Sequence, residues 1–452
     1  MQKKSILWLM VTLSALLTLA AACGTNTITS NKATTVATKA TRVPPGENIY
    51  VLDGYAPLGS ASYGQQIVAF HPASANPGSF VSLPAGLSSQ DHQRLYTATA
   101  ANGHTTISVI DTLSGSRIRS FSIAGMYSTA ATSYDSAVLS ASGQWLALRE
   151  LGQGGQGVNE TTIALVDTRA GKLTKMIHLG GDYTLDAMSP GGKALYVLQK
   201  LNDTVGHYYV RVYNVDENAL EDTPIVDKTV SNPNGDPNMI GVGLARQVSA
   251  GGTYAYTLYI DTRRNYAFIH ELPLNDQVYP PIAHCIDLPV GKSADLLHYY
   301  TLALSADGST LYAANGALGV VSSISVSTGD PTGIFNDKVL HSTHFNAGNA
   351  NLSATERGRM LYNGAALSSD QKTLYFAGMQ GIWAVNTSNF SMQGHYLAQQ
   401  ALTGVALSSD NQTLYAVDPA SGITLLSATT GQAQKVMQGP ARTPWGIAWI
   451  AN

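Results

Sequence analysis

The sequence predicts an all-β fold, a single β-propeller whose blades each contain four strands. Three observations predict it: a unit of turn and strand that recurs along the chain, a repeat length near fifty residues, and two domain ends that each carry part of one blade. Only 12% of the 452 residues are charged and no heptad pattern runs along the chain, so little helix is expected. Because self-similar sheets spread one fold over a long chain, residues 48–452 are predicted to form one domain.

The recurring unit is clearest in residues 407–417, with the sequence LSSDNQTLYAV. An apolar strand ends at Leu407, a polar turn follows, and Leu414 and Tyr415 begin a second strand of alternating character. Asp410 suits the turn because its side chain can bond the local backbone. Six further copies, spaced by 40 to 63 residues, begin at Leu367, Leu304, Met188, Val248, Leu139 and Leu87. A period of this length with four short strands per unit is typical of a propeller.

The two ends of the domain each supply part of one blade. Residues 49–52, 66–70 and 79–83 have the pattern of second, third and fourth strands, with no first strand before them. Residues 445–450, WGIAWI, have the pattern of a first strand with nothing after it. We therefore expect the C-terminal strand to join the N-terminal blade, which closes the ring and removes two open sheet edges.

Blade number follows from the hairpins predicted between second and third strands. Eight such hairpins lie near residues 50, 96, 147, 196, 256, 312, 375 and 415. This count predicts eight blades. Seven is the alternative, because residues 85–89 are short for a first strand and two units could merge there.

The N-terminal residues predict export and lipid attachment. Two lysines precede an almost wholly apolar stretch, residues 5–19, and three alanines lead directly to Cys23. This pattern resembles a bacterial lipoprotein signal peptide, residues 1–22, after whose removal Cys23 becomes the lipidated first residue. An ordinary signal peptide cut near Ala22 and an uncleaved anchor are the alternative interpretations.

The lipidated Cys23 begins a polar linker, residues 23–47, which cannot bury enough apolar surface to fold alone. We expect it to tether the domain to a membrane in the bacterial cell envelope, facing outside the cytoplasm. Loss of residues 1–22 moves the formal charge from −3 to −5 and no basic stripe is present, so no nucleic-acid partner is expected. Cys285 is then the one remaining thiol, and its alternating context predicts a small buried side chain.

A second marker is a strand that ends in an acidic residue followed by a glycine turn. Residues 107–115, ISVIDTLSG, and 163–171, IALVDTRAG, show it most clearly. Together with the repeated serine turns, this marker resembles the YVTN family of propeller repeats over about residues 48–452, although the family's name-giving motif appears only in altered form, as at residues 195–198. The resemblance implies a propeller. Related propellers include lactonase-like enzymes, amine dehydrogenase heavy chains and binding scaffolds, so it implies no single activity.

Candidate functional residues are those expected to line the central channel, because the innermost strand of every blade faces it. A carboxylate, a guanidinium group and an imidazole that meet at one mouth of the channel can bind a polar ligand or a cation. Solvated or mutually paired side chains are the alternative, since such channels are filled with water. Two polar loops, residues 227–238 and 343–358, are predicted either to carry recognition or to be tolerated insertions. The channel candidates are Asp135, Asp186, Arg246, His298, Asn363 and Trp445.

No pattern in the sequence identifies a catalytic or metal centre. His270, His284 and His298 are fourteen residues apart, but none pairs with another ligand at a metal-binding spacing. There is no Gly-x-Ser-x-Gly elbow with supporting partners, and a metal held by distant blades would leave no local pattern. The sequence therefore assigns no catalytic residue, metal or cofactor.

The predicted function is binding. We expect a lipid-anchored, non-catalytic scaffold that holds a protein, a glycan or a small molecule through one face of the ring. The alternative is an envelope enzyme of lactonase-like or quinoprotein dehydrogenase-like type with its site at the channel. Convergence of Asp135, Asp186, Arg246 and His298 on one point would favour the enzyme, and mutual pairing of their charges would favour the scaffold.

Overall fold

Eight antiparallel sheets, each with four main strands, are arranged as a ring in the computed structural model. The structure describes residues 46–54, 66–72, 81–129, 136–152, 159–201, 206–225, 238–277, 282–326, 338–347, 361–437 and 443–451, all within the unit Ala40–Asn452. The predicted all-β propeller and the count of eight blades are confirmed.

The strands are short, and most are joined by tight turns. In chain order, the first sixteen are β1 (Asn48–Asp53), β2 (Gln66–Phe70), β3 (Val81–Pro84), β4 (Leu87–Ser88), β5 (Arg94–Ala101), β6 (His104–Asp111), β7 (Arg117–Ala124), β8 (Ala137–Leu139), β9 (Trp145–Arg149), β10 (Glu160–Asp167), β11 (Lys172–Gly180), β12 (Tyr183–Met188), β13 (Ala194–Lys200), β14 (His207–Asn214), β15 (Ala219–Leu220) and β16 (Met239–Ile240). The others are β17 (Val242–Val248), β18 (Tyr254–Asp261), β19 (Tyr266–Pro273), β20 (His284–Asp287), β21 (Tyr300–Leu304), β22 (Thr310–Asn315), β23 (Val320–Ser325), β24 (Lys338–His344), β25 (Ala365–Leu367), β26 (Thr373–Gly378), β27 (Gly381–Asn386), β28 (Met392–Tyr396), β29 (Gly404–Leu407), β30 (Thr413–Asp418), β31 (Gly422–Ser427), β32 (Ala433–Met437) and β33 (Pro444–Ala451). Two short 3₁₀ segments are Ala250–Gly252 and Ala294–Tyr299.

Each blade is a meander whose first strand lies at the axis. Blade 1 consists of β33, β1, β2 and β3, and blades 2 to 8 begin with β4, β8, β12, β17, β21, β25 and β29. First strands contact the first strands of neighbouring blades, as β8 contacts β4 and β12, and β29 contacts β25 and β33. Blade 4 carries an additional strand, β16, beside β14.

The C-terminal strand closes the ring as predicted. Strand β33 pairs antiparallel with β1, with Ile49 opposite Ile450 and Tyr50 opposite Trp449. The rings of Tyr50 and Trp449 stack with their centroids 4.6 Å apart. Head and tail of the domain therefore form one sheet, in which β1 is paired on both sides and β33 is the inner strand, like the first strand of every other blade.

The apolar core lies between blades rather than at the centre of the ring. Eight clusters of buried side chains are each shared by two neighbouring blades. The cluster between blades 8 and 1 packs Tyr415 and Val417 against Ile49 and Phe70. Because strand side chains alternate in direction, each central strand contributes to the clusters on both of its sides.

The repeated serine organises the turn between first and second strands. In blade 8, Ser408 Oγ donates to Asp410 Oδ1 at 2.6 Å and accepts the Thr413 N–H at 2.8 Å. Asn411 adopts a φ of 60°, which asparagine tolerates better than most residues. The same serine-to-aspartate bond, also 2.6 Å long, joins Ser368 to Asp370, Ser305 to Asp307 and Ser89 to Asp91. The copy predicted for blade 2 begins at Leu87 and so places the serine of the turn at Ser88. In the structure this serine is Ser89, one residue later.

The second sequence marker joins the third strand to the same turn. In blade 2 the hydroxyl of Thr112, directly after Asp111, donates to His92 O at 2.6 Å. In blade 3, Thr168 donates to Gly143 O at 2.6 Å. Both markers thus lie at one end of the ring. We call this end the turn face, and the opposite end, which holds the connections between successive blades, the loop face.

On the turn face, the turns of blades 2, 3 and 5 meet across the axis. Gln90 Nε2 in blade 2 donates to Ser249 O in blade 5 at 2.9 Å. Gly252 of blade 5 has a φ of 73°, and a Cβ added there would lie 2.3 Å from the Cβ of Ala141 in blade 3. Glycine is therefore required by both the backbone and the close approach.

The described residues include no helix with the length and hydropathy needed to cross a bilayer. The predicted signal peptide, Cys23 and nearly all of the linker fall in residues 1–45, which lie outside the described residues. Those assignments therefore stay predictions.

Candidate functional site

Two of the predicted channel residues meet in an ion pair between blades 4 and 5. Asp186 lies on β12 and Arg246 on β17, the first strands of these blades. The guanidinium group of Arg246 donates to Asp186 Oδ1 and to Asp186 O, and its Nε donates to Thr257 Oγ1 at 2.9 Å. The two charges therefore neutralise each other and tie the inner strands of adjacent blades.

Burial makes this ion pair important for the fold. The Asp186 side chain is 3% exposed and that of Arg246 is 18% exposed. A buried carboxylate is stable only when it is paired and hydrogen-bonded, so loss of Arg246 would leave a costly uncompensated charge. The guanidinium group of Arg246 already occupies Asp186 Oδ1, so this oxygen contacts the protein rather than a ligand.

Asn363 and Trp445 lie near each other, at the seam of the ring. The Asn363 amide nitrogen donates to Ile447 O at 3.0 Å and to Ala448 O at 3.2 Å, both on the strand that carries Trp445. Asn363 has a φ of 47° and precedes β25, and its carbonyl accepts the Val405 N–H at 3.3 Å. It thus connects the inner edges of blades 7, 8 and 1.

His298 lies apart from the Asp186–Arg246 pair. It falls in the 3₁₀ segment Ala294–Tyr299, ahead of β21, rather than on an innermost strand. Burial lowers the pKa of its imidazole, and the nearby Asp295 carboxylate opposes this shift. Within the described residues His298 is therefore a neutral imidazole at neutral pH, and no hydrogen bond joins it to the ion pair.

The remaining sequence-predicted sites lie outside the described residues. Asp135 and Cys23 are in this group, as are residues 227–237 and 348–358 of the two predicted loops. The enzyme alternative predicts that Asp135, Asp186, Arg246 and His298 meet at one point. Of these four side chains, the structure shows, within the described residues, only Asp186 and Arg246 in contact with each other.

Sequence reasoning missed two interblade contacts of the same kind. Arg149 on β9 donates to the buried Asp182 carboxylate at 2.8 Å, joining blades 3 and 4. Asp276, in the connection after β19 of blade 5, accepts hydrogen bonds from Ser189 Oγ at 2.6 Å and from the Gly191 N–H at 3.0 Å in the turn of blade 4. In each of the two contacts the partners are far apart in sequence, so no local pattern in the sequence indicates that they meet.

Blade 5 also buries several titratable groups. Glu271 is fully buried on β19 and faces His284 on β20, and the neighbouring His270 faces Cys285. Cys285 is half-buried rather than fully buried as predicted. Among the described residues, no group of three or more His, Cys, Asp or Glu side chains is arranged to hold a metal ion.

An aromatic cluster lies on the loop-face side of blades 6 and 7. The imidazole of His395 stacks on the indole of Trp383 with centroids 3.6 Å apart and planes 7° apart. Phe345, in the described beginning of the predicted loop 343–358, packs against the same indole at 4.6 Å. His395 is exposed, whereas the indole of Trp383 is buried, so the part of this cluster that reaches solvent is the imidazole.

The fold and the channel geometry define the class of this protein, an eight-bladed β-propeller whose described channel charges are paired with each other. No protein-family model matches the sequence, and no curated protein matches it significantly. The YVTN resemblance therefore stays a prediction.

Several solved propeller structures are similar to this chain at low identity. Dihydro-heme d1 dehydrogenase NirN in complex with DHE is 14% identical with a TM-score of 0.49, over 92% of this chain and 76% of NirN. The periplasmic gluconolactonase PpgL of Pseudomonas aeruginosa is 14% identical with a TM-score of 0.41, over 79% of this chain and 98% of PpgL. Apo AztD from Citrobacter koseri is 11% identical with a TM-score of 0.47, over 89% of this chain and 97% of AztD. These similarities carry no argument about function.

Proposed function

We propose that this protein is a lipid-anchored β-propeller of the bacterial cell envelope that binds a partner outside the cytoplasm and carries out no catalysis. The observation that carries the proposal is the pairing of Asp186 with Arg246. The two charged candidates for channel chemistry are used to tie blades 4 and 5 together, and His298 stands apart from them. This arrangement supports a rigid scaffold over an active site.

The loop face is the proposed binding surface. The imidazole of His395 is exposed there and is held in place by stacking on the buried indole of Trp383, against which Phe345 also packs. The chain enters the ring on the other side, because Glu47 accepts hydrogen bonds from Ser409 in the turn of blade 8 at 2.7 Å. A linker from Cys23 to Glu47 spans at most about 80 Å, so it would keep the ring near the membrane with its loop face accessible.

The anchor is tested with the full chain expressed in a bacterium. We expect the wild-type protein in the membrane fraction, released only by detergent, and a Cys23→Ser variant in the aqueous fraction. Mass spectrometry of the N-terminal peptide is expected to show a diacylglyceryl group on Cys23. Equal partitioning of the two proteins would contradict lipidation.

The binding face is tested by photo-crosslinking in whole cells. A photoreactive amino acid replaces either His344, exposed at the loop-face end of β24, or Lys372, exposed in a turn of the turn face. We expect a crosslinked adduct from position 344 and none from position 372. Adducts from position 372 alone, or from neither position, would overturn the proposed face.

The enzyme alternative is tested with the purified full-length protein. Lactone hydrolysis and dye-coupled oxidation are measured for the wild type and for Arg246→Met. We expect no turnover from either. Turnover that requires Arg246 while the variant remains folded would reverse the proposal in favour of a channel enzyme.

A further inference from the structure

Four exposed arginines lie together on the turn face of blades 2 and 3. Arg94 begins β5, Arg117 and Arg119 lie at the start of β7, and Arg169 lies in the turn between β10 and β11. Among the described residues, the exposed arginines of the turn face all belong to this group, which we call the arginine patch. Its members come from three separate stretches of sequence, so no basic run in the sequence indicates it.

Contacts between blades 2 and 3 bring the members of the arginine patch together. Arg119 Nη1 donates to the carbonyl oxygen of Arg169, so β7 of blade 2 reaches the turn of blade 3. Arg169 Nη2 donates to Ser142 O at 3.3 Å in the same blade. Burial raises the pKa of the Tyr96 phenol, and the charges of Arg94 and Arg169 oppose this rise, so both guanidinium groups lie near its hydroxyl. Positive charge is therefore concentrated at this junction.

No ion pair neutralises the arginine patch. Within the described residues, none of its guanidinium groups lies within salt-bridge distance of a carboxylate. Asp91, Asp111 and Asp167 in these turns instead accept hydrogen bonds from hydroxyl and amide groups of their own turns, at 2.6 to 2.8 Å. With Lys172 counted, these turns carry five cations against three carboxylates, so their net charge is positive although that of the chain is −3.

Two apolar side chains are exposed beside the arginines. Leu113, in the turn between β6 and β7, is 39% exposed, and Ile118, between Arg117 and Arg119, is 52% exposed. Cations next to exposed apolar side chains are typical of surfaces that bind a membrane, because the cations reach anionic headgroups while the apolar groups enter the acyl boundary. A small soluble phosphate would leave both apolar side chains in water. The composition of this surface therefore favours a lipid bilayer.

The chain enters the ring beside this surface. Glu47 directly precedes β1 of blade 1, and the turn that carries Leu113 packs against that blade, since a Cβ added at Gly115 would lie 2.5 Å from Val81. We propose that the arginine patch, with Leu113 and Ile118, binds anionic phospholipid headgroups of the membrane that holds the lipid anchor. This inference rests on the proposed function for the choice of membrane. Arginine suits the role because its planar guanidinium group can contact two phosphate oxygens at once.

The test is vesicle flotation with the mature chain, residues 23–452, carrying Cys23→Ser. Because this chain has no acyl groups, failure of the proposed lipid anchor would not change the result. The vesicles contain phosphatidylcholine alone, or phosphatidylcholine and phosphatidylglycerol in equal parts. We expect binding to the anionic vesicles only, and its loss in about 1 M salt, where the Debye length falls to about 3 Å. Equal binding to both kinds of vesicle, or to neither at low salt, would overturn the proposal.

A soluble phosphate is distinguished from a lipid by competition. Glycerol phosphate is added to the protein bound on anionic vesicles while the ionic strength is kept constant. We expect the protein to stay on the vesicles. Its release would overturn the membrane as the partner in favour of a small phosphate ester.

Matched substitutions decide whether the arginine patch is responsible. Arg94→Gln with Arg169→Gln should weaken binding about 25-fold, since one cation near an anionic surface contributes about fivefold. Arg117→Gln, at a side chain without a hydrogen bond among the described residues, should weaken it about fivefold. Lys338→Gln with Lys372→Gln removes two exposed charges from blades 6 and 7 of the same face and should bind like the wild type. Equal weakening of both double variants, or unchanged binding of Arg117→Gln at a wild-type thermal midpoint, would refute the site.

Discussion

Replacement of Asp276 by alanine is expected to destabilise the ring by about 2 kcal/mol. This carboxylate from blade 5 accepts two good hydrogen bonds, from Ser189 Oγ and the Gly191 N–H of blade 4. Hydrogen bonds to a charged group contribute about 1.5–3 kcal/mol each, and partial exposure of the site reduces their sum. A domain of about 400 residues has an unfolding entropy of about 0.8 kcal/mol/K, so the melting temperature should fall by about 2 °C.

Comparison with the other turns suggests a second substitution that should restore the stability lost in Asp276→Ala. In blades 2, 6, 7 and 8 the residue two positions after the serine is an aspartate, whereas blade 4 has Gly191 there. A Cβ on Gly191 would lie 2.5 Å from Asp276 Oδ2, so Gly191→Asp alone should destabilise through a clash and a repulsion between carboxylates. In the Asp276→Ala background the space is open, and Gly191 does not have a positive φ. The double variant should therefore regain most of the lost stability.

The assay is thermal unfolding followed by circular dichroism for the wild type, both single variants and the double variant. Limited proteolysis of the connection after β19 reports whether blades 4 and 5 separate locally. The reasoning is refuted if Asp276→Ala melts at the wild-type temperature, or if the double variant is no more stable than Asp276→Ala.

Three further predictions concern the seam, the channel and the turns. Trp449→Ala, which removes a buried ring stacked on Tyr50, should cost about 3–5 kcal/mol in urea unfolding, and a cost below about 1 kcal/mol would contradict closure by β33. Arg246→Met should cost about 3–5 kcal/mol, and adding Asp186→Leu should recover much of it; failure to recover would show that the pair is not isolated. Hydrogen bonds from Ser305 and then Ser309 lower the pKa of Asp307 to about 2. Ser305→Ala should raise that pKa toward 3.8 in an NMR titration, and a depressed carboxyl pKa means that acid loosens the turn as pH falls from about 4 to 2.

The fold was predictable because its signals are local and repeated. In blades 2, 6, 7 and 8 the turn uses a serine, an aspartate and the amide that begins the next strand within six residues, so the pattern survives in a single sequence. The N-terminal blade lacks a first strand in the local sequence. Residues 445–450 could be assigned to that place because they have the pattern of a first strand and no further strands follow them. The error of one position at Ser89 arose because two adjacent serines, Ser88 and Ser89, fit the pattern equally well.

The candidate site was less predictable because side-chain pairing is not local. The sequence placed Asp186 and Arg246 on inner strands, but their residues are 60 positions apart and nothing in either segment shows that they face each other. His298 precedes the inner strand rather than lying on it, because β21 begins at Tyr300 and the residues before it form a 3₁₀ segment.

The hydrogen bond from Gln90 to Ser249 links two blades that are not neighbours in the ring. In a ring joined only at its perimeter, one blade can tilt outward while disturbing only its two neighbours. Here the hydrogen bond on the turn face couples blade 2 to blade 5, so outward tilting of either blade would strain or break a contact with the other.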